Sequence, residues 1–139
     1  MANDLLQELM GTRITVMQVA FSAMTAILFL QSSLDKVFHW KGEKAYLTGH
    51  FEKSPLRGWV PLLLPVITAM ELAAGSLSAI GLVLVVLGGG TAAGAWGMLF
   101  GTGAITMLFL GQRVAKDYAG AASLVPYFLL TAFGLYAYL

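Results

Sequence analysis

At 139 residues and a formal charge of +1 the chain is a single domain by length. Its 58% hydrophobic against 11% charged content, with a mean hydropathy of +0.79, excludes an ordinary soluble globule and calls for a bilayer as solvent. Cysteine is absent, which removes disulfides, thiolate chemistry and cysteine-held metals, and the few basic residues form no face suited to nucleic acid.

Met1 to Gly11 places Leu5, Leu6, Leu9 and Met10 on one helical face behind Asn3 and Asp4, with Gln7 completing a box-like start, and this predicts a short N-terminal interfacial helix. Asp4 and Glu8 stand where a signal peptide carries Lys or Arg, so the apolar run that follows is expected to be retained as a first span, residues 14–34. Within it Gln18 and Ser22 mark an inward face, since such side chains bridge helices at about 0.6 kcal/mol each. Asp35 to Gly58 is the one long hydrophilic connection; it holds both histidines, His39 and His50, read as solvated loop residues. Phe38, Trp40, Tyr46, Phe51 and Trp59 interleave with its charges, the pattern of a segment at headgroup depth. A short surface helix is predicted from Lys41 to Thr48, closed by Gly49.

Residues 59–87 form the second span, with Pro61 and Pro65 in its first turns, where a missing amide donor is tolerated. Its only charge is Glu71, near the middle. Gly75 follows one turn later on the same face, so a neighbouring helix can approach beside the carboxyl. After Gly88-Gly89-Gly90, a tight turn, the third span covers residues 91–110; Ala93, Gly97 and Gly101 recur there at every fourth position and are predicted to make its closest helix contact. Gly111 to Gly120 is a polar turn with Arg113, Lys116 and Asp117. Residues 119–139 are a fourth span, with Pro126 near its start and Tyr136 and Tyr138 expected as belt residues at its far end.

These elements predict an all-α fold: one domain, residues 1–139, forming an integral membrane four-helix bundle with a long first cytoplasmic loop and a short N-terminal interfacial helix. The orientation follows from charge. Loops one and three hold Lys36, Lys41, Lys44, Lys53, Arg57, Arg113 and Lys116, and only Arg13 lies toward the other side, so those loops are expected in the cytoplasm and both termini outside.

Glu71 carries the chemistry to be explained, because a bare charge at that depth costs roughly 2.5–3.5 kcal/mol on insertion scales and needs a partner. The candidate polar set is Glu71 with Gln18, Gln31, Asp35 and Lys36, suited to relaying a proton or to holding the polar head of an amphipathic molecule such as a quinone or lipid. The same residues suit a structural subunit whose helices are pinned in register. Neither histidine lies in a span to ligate haem, and with Asp35, Glu43 and Glu52 they give no pair of metal ligands on one helical turn, so no metal site is predicted.

Three pieces of sequence resemble the DoxX-like family of small four-helix membrane proteins: the first span running into Ser33-Leu34-Asp35-Lys36, the Glu71-Leu72-Ala73-Ala74-Gly75 element, and the Gly111 to Gly120 turn before a last apolar span. The resemblance covers residues 13–139 and shares Lys36, Glu71 and Gly75 with the family pattern; Ser33 stands where the family usually has glycine. It implies a small accessory or structural subunit of a larger, quinone-linked respiratory or redox complex in the bacterial inner membrane. Members include a small subunit of a thiosulfate:quinone oxidoreductase and accessory proteins of membrane redox assemblies. Whether such a chain is an enzyme stays open, with catalysis by itself not expected, and its expected partners are the bilayer and other membrane subunits. The alternative is a stand-alone or homo-oligomeric transporter moving a proton or small solute past Glu71.

Overall fold

The computed structural model describes residues 1–139 as six helices: α1 Ala2–Phe38, α2 Trp40–His50, α3 Val60–Val86, α4 Ala92–Val114, α5 Tyr118–Ser123 and α6 Val125–Tyr138. α1, α3, α4 and the α5–α6 pair give four segments long and apolar enough to cross a membrane. They pack as a ring in chain order, α1 against α3, α3 against α4, α4 against α6, and α6 back against α1. Its interior combines apolar residues such as Phe29, Leu64, Ile67 and Met98 with small polar ones. Ser22, Thr25, Ser33, Thr68, Ser78 and Thr131 are buried, while Ile27, Val83, Trp96 and Phe133 face outward. Small residues take several of the helix interfaces, as expected for helices that pack by close approach in an apolar solvent.

The separate interfacial helix expected over Met1–Gly11 is instead the first third of α1, which runs unbroken through Gly11. A lone glycine costs a helix only about 1 kcal/mol, and no proline stands between Ala2 and Phe38 to stop it. At 1.5 Å per residue its 37 residues span about 55 Å. Only the second part packs: residues 1–17 are exposed throughout, and Gln18 is the first to be buried.

α3 ends in a Schellman motif. Gly88, at φ +74°, donates to Val85 O at 3.2 Å, and Gly89 donates to Leu84 O at 2.6 Å. α4 ends the same way, although a lysine takes the left-handed position: Lys116 at φ +60° donates to Arg113 O, and the Asp117 amide to Gln112 O. Asp117 then caps α5 through Oδ1, which accepts from Gly120 N at 2.9 Å. The fourth span is two helices rather than one, broken at Leu124, because Pro126 has no amide proton to continue the ladder.

α2 extends the predicted surface helix by two residues, to His50, so Gly49 lies within it and Phe51 closes it. Its Trp40 and Leu47, with Phe51, pack on the cluster formed by Val60, Leu64 and Ile67. α2 thereby covers the first turns of α3 below the point where α1 has ended. His50 also reaches Gln112 at the end of α4, so the first and third loops occupy the same end of the bundle.

Candidate functional site: a buried lysine–glutamate pair

Glu71 points into the α1–α3 interface and is 1% exposed. Its neighbour Met70 meets Gly103, the middle residue of α4, so the carboxylate sits at half the height of that helix. Gly75 lets α1 come in beside it: a Cβ there would lie 2.8 Å from Leu30 N. Across this seam Lys36 Nζ stands 3.0 Å from Glu71 Oε2, and Ser32 Oγ donates to both carboxylate oxygens at 3.2 Å. Lys36 Nζ also donates to Ser32 Oγ at 2.9 Å, closing the set into a triangle.

Helical spacing builds this triangle. Ser32 and Lys36 are four residues apart on α1 and therefore lie one above the other on one face. The lysine arises in the last turn of α1, and its side chain is only partly exposed, so its methylene stem runs along the interface toward the carboxylate. The ammonium stands against Glu71 Oε2, and the serine shares its one proton between the two carboxylate oxygens; a buried carboxylate is tolerated when it is paired and hydrogen-bonded.

The rest of the expected polar set does not converge here. Gln31 and Asp35 are exposed on the outer side of α1, turned away from the Ser32–Lys36 face by the 100° step per residue. Gln18 is buried but lies fourteen residues earlier, about 21 Å along the helix. There it donates through Nε2 to Ala137 O at 3.0 Å. Ser32, which completes the triangle, was not among the candidates; its position one turn before Lys36 was the signal that pointed to it.

A second, neutral polar layer occupies the far end. Ser22 Oγ bonds the Tyr138 hydroxyl, and Tyr138 is 6% exposed, whereas Tyr136 is 79% exposed. Tyr138 is therefore a core residue and not a belt residue: two positions apart on a helix, both tyrosines cannot face lipid. The small-residue stripe of α4 runs through Gly94, Gly97 and Gly101, all buried, with Ala93 half-buried beside it. Gly94 faces Gly81 and the Tyr138 ring, Gly97 faces Ser78, and Gly101 faces Phe29 and Thr131. The expected contact of Gly97 and Gly101 is thus made inside the chain, and Gly94 takes the place assigned to Ala93.

His50 is also not a free loop residue. Gln112 Oε1 can only accept, so the imidazole proton is on Nε2, which donates to it at 2.6 Å, with Asp117 Oδ2 at 3.7 Å and the Tyr46 ring stacked alongside. His39 is exposed, its ring nitrogen against Asp35 O.

No protein-family model, no curated protein and no solved structure matches the chain.

Proposed function

We propose that the chain is a small accessory membrane subunit, seated beside a larger quinone-linked redox complex as its DoxX-like resemblance implies, in which Lys36, Ser32 and Glu71 pin α1 to α3. The observation that carries this reading is the first part of α1. Past Gln18, which meets the last turn of α6, the helix runs on with no neighbour in its own chain and exposes Leu5, Leu6, Leu9 and Met10 on one face. An apolar stripe on a helix of this kind fits a groove on a second protein. The bundle behind it gives the arm a rigid base.

The geometry around Glu71 supports a pin over a conduit. Going up α1 from Lys36, Ser32 and Ser33, the buried residues are Phe29, Ala26, Thr25, Ser22 and Gln18. Phe29 and Met98, each at most 1% exposed, stand between the charged triangle and the Ser22–Tyr138 pair. The hydroxyls in between are engaged locally: Thr25 on Met98 Sδ, and Thr131 on carbonyls of its own helix. A relay past Glu71 would need those groups to exchange protons across an apolar layer.

In this proposal the chain lies in the bacterial inner membrane with the α2 end in the cytoplasm and both termini outside. Seven of its eight Lys and Arg lie at or beyond the cytoplasmic end of α1 or in the third loop, in keeping with the positive-inside rule. Single cysteines introduced at Glu43 and at Leu139 test the topology; a membrane-impermeant reagent reaching both from one side overturns it. Gentle extraction followed by native mass tests the function. A hetero-complex that is lost when residues 2–10 are deleted supports the accessory reading. A lone small species whose proton flux in vesicles is abolished by Glu71→Gln supports the transporter instead.

A further inference from the structure

Between α2, the first turns of α3 and the last turns of α4 lies a cleft of about 240 Å³, of whose 15 lining residues 12 are hydrophobic. Leu47, Phe51, Leu63, Ile67 and Leu108 form its walls, and Tyr46 and Leu110, both more than half exposed, stand at its rim. The polar corner is His50 with Gln112. The Gln112 carbonyl oxygen is taken by His50, and its amide nitrogen, with two protons to donate, makes no hydrogen bond within the chain. The cleft opens where α1 has ended, in the part of the molecule that carries most of the cations.

We infer that this cleft is a binding site for one anionic phospholipid, with part of an acyl chain between α2, α3 and α4 and the headgroup phosphate at the basic rim. Three observations choose that occupant. The interior accepts methylenes and little else, since 12 of its 15 lining residues are hydrophobic and its one polar corner is His50 with Gln112. The rim is positive: Lys53, Arg57, Arg113 and Lys116 are exposed and each lies within two residues of the lining residues Phe51, Leu56 or Val114. Against these four, of which Arg113 lies over the Tyr118 ring, stand only Glu52 and Asp117, and one Asp117 oxygen accepts from Gly120 N. Finally, the free Gln112 amide protons sit where chain meets headgroup, in reach of an ester or phosphate oxygen. Basic clusters beside an apolar recess at the membrane surface recognise anionic headgroups in this way.

The site does not depend on whether the chain serves a larger complex, so its test uses the full chain alone. Delipidated protein in detergent is offered equimolar phosphatidylglycerol and phosphatidylcholine and read by native mass. One phosphatidylglycerol retained per chain, at least tenfold over phosphatidylcholine, is the expected result. Leu110→Trp, at the exposed rim, should lower that retention at least tenfold. If this variant does not fold, the combination Gln112→Ala, Lys53→Gln and Arg57→Gln, which leaves the apolar walls intact, should abolish the headgroup preference. Equal retention of the two lipids, or folded variants that retain phosphatidylglycerol as before, overturns the proposal. So does a change in oligomeric mass in Leu110→Trp without a change in lipid, which would assign the cleft to a protein partner.

Discussion

The two ends of the bundle bury polar groups by different means. On the α2 side of the bundle two full charges, Lys36 from the last turn of α1 and Glu71 at mid-height, meet across a single seam between α1 and α3, with Ser32 as the third member. At the far end every polar group is neutral. Gln18, Ser22 and Tyr138 tie α1 to α6, while Gly81 and Gly94 bring α3 and α4 into backbone contact beneath the tyrosine ring. A charged pair recovers its desolvation cost only while both partners are present, so it is fragile to the loss of either. Neutral bonds inside a membrane bundle are individually small, and there the close helix approach carries the stability. Deletions should therefore hurt at one end and insertions at the other.

The largest expected effect follows from separating the charges. Lys36→Met leaves Glu71 without its cation and should destabilise the fold by about 3–5 kcal/mol, read as a fall in the unfolding midpoint in detergent. The double substitution Lys36→Met with Glu71→Met should recover most of that loss, since an apolar pair of similar volume often replaces a buried ion pair at little cost. If the double variant is no better than the single one, the pair does more than pin the helices.

Next comes an insertion at the neutral end. Gly94→Leu drives a side chain into the Tyr138 ring and should cost about 1–3 kcal/mol, because the ring has to give up its place and its bond to Ser22 to make room. Gly97→Leu meets Ser78 Oγ and backbone, with Cβ only 2.6 Å from that oxygen, and belongs to the same class. Gly42, in α2 and with nothing within 4 Å of its Cβ position, is the control: Gly42→Leu should not destabilise, and the gain in helix propensity should raise stability by about 1 kcal/mol at most.

This contrast also marks how far the amino-acid sequence could be read. The four apolar runs and their small-residue faces were legible because span length and hydropathy are local properties. Helix ends were less so. Gly11 and the polar residues around it suggest a break that α1 does not make, while Pro126 made one that splits the fourth span at Leu124. Glu71 and Lys36 were legible as candidates. Their pairing was not, since it depends on how α1 and α3 stack, yet the helical period alone would have set Gln31 and Asp35 aside once Lys36 was placed on the inner face. In α4 the sequence spacing picked out Gly97 and Gly101. The third member of the stripe is Gly94 because Tyr138, more than forty residues later, folds its ring over it.

A smaller effect sharpens the neutral end. Ser22→Ala removes the partner of the Tyr138 hydroxyl and should cost about 0.6 kcal/mol, with about 1.7 as the upper bound for such bonds in membrane bundles. A loss as large as that of Lys36→Met would mean that the two ends are not different in kind.

The smallest effect carries the opposite sign. Ser78 is fully buried on α3 against Gly97, and its hydroxyl has no hydrogen-bond partner in the chain, unlike Ser22 one interface away. A buried hydroxyl left unpaired is a cost to the folded state, and alanine removes it without adding an atom. The Gly97 backbone already sits close enough to admit a methyl group in place of the hydroxymethyl, so no new cavity larger than one oxygen is opened. Ser78→Ala should therefore leave the unfolding midpoint unchanged or raise it, by about 1 kcal/mol at most. Measured beside Ser22→Ala, this serine separates bonding from burial. If Ser78→Ala costs as much as Ser22→Ala, the neutral layers are held by side-chain volume alone and the Ser22–Tyr138 bond contributes nothing of its own.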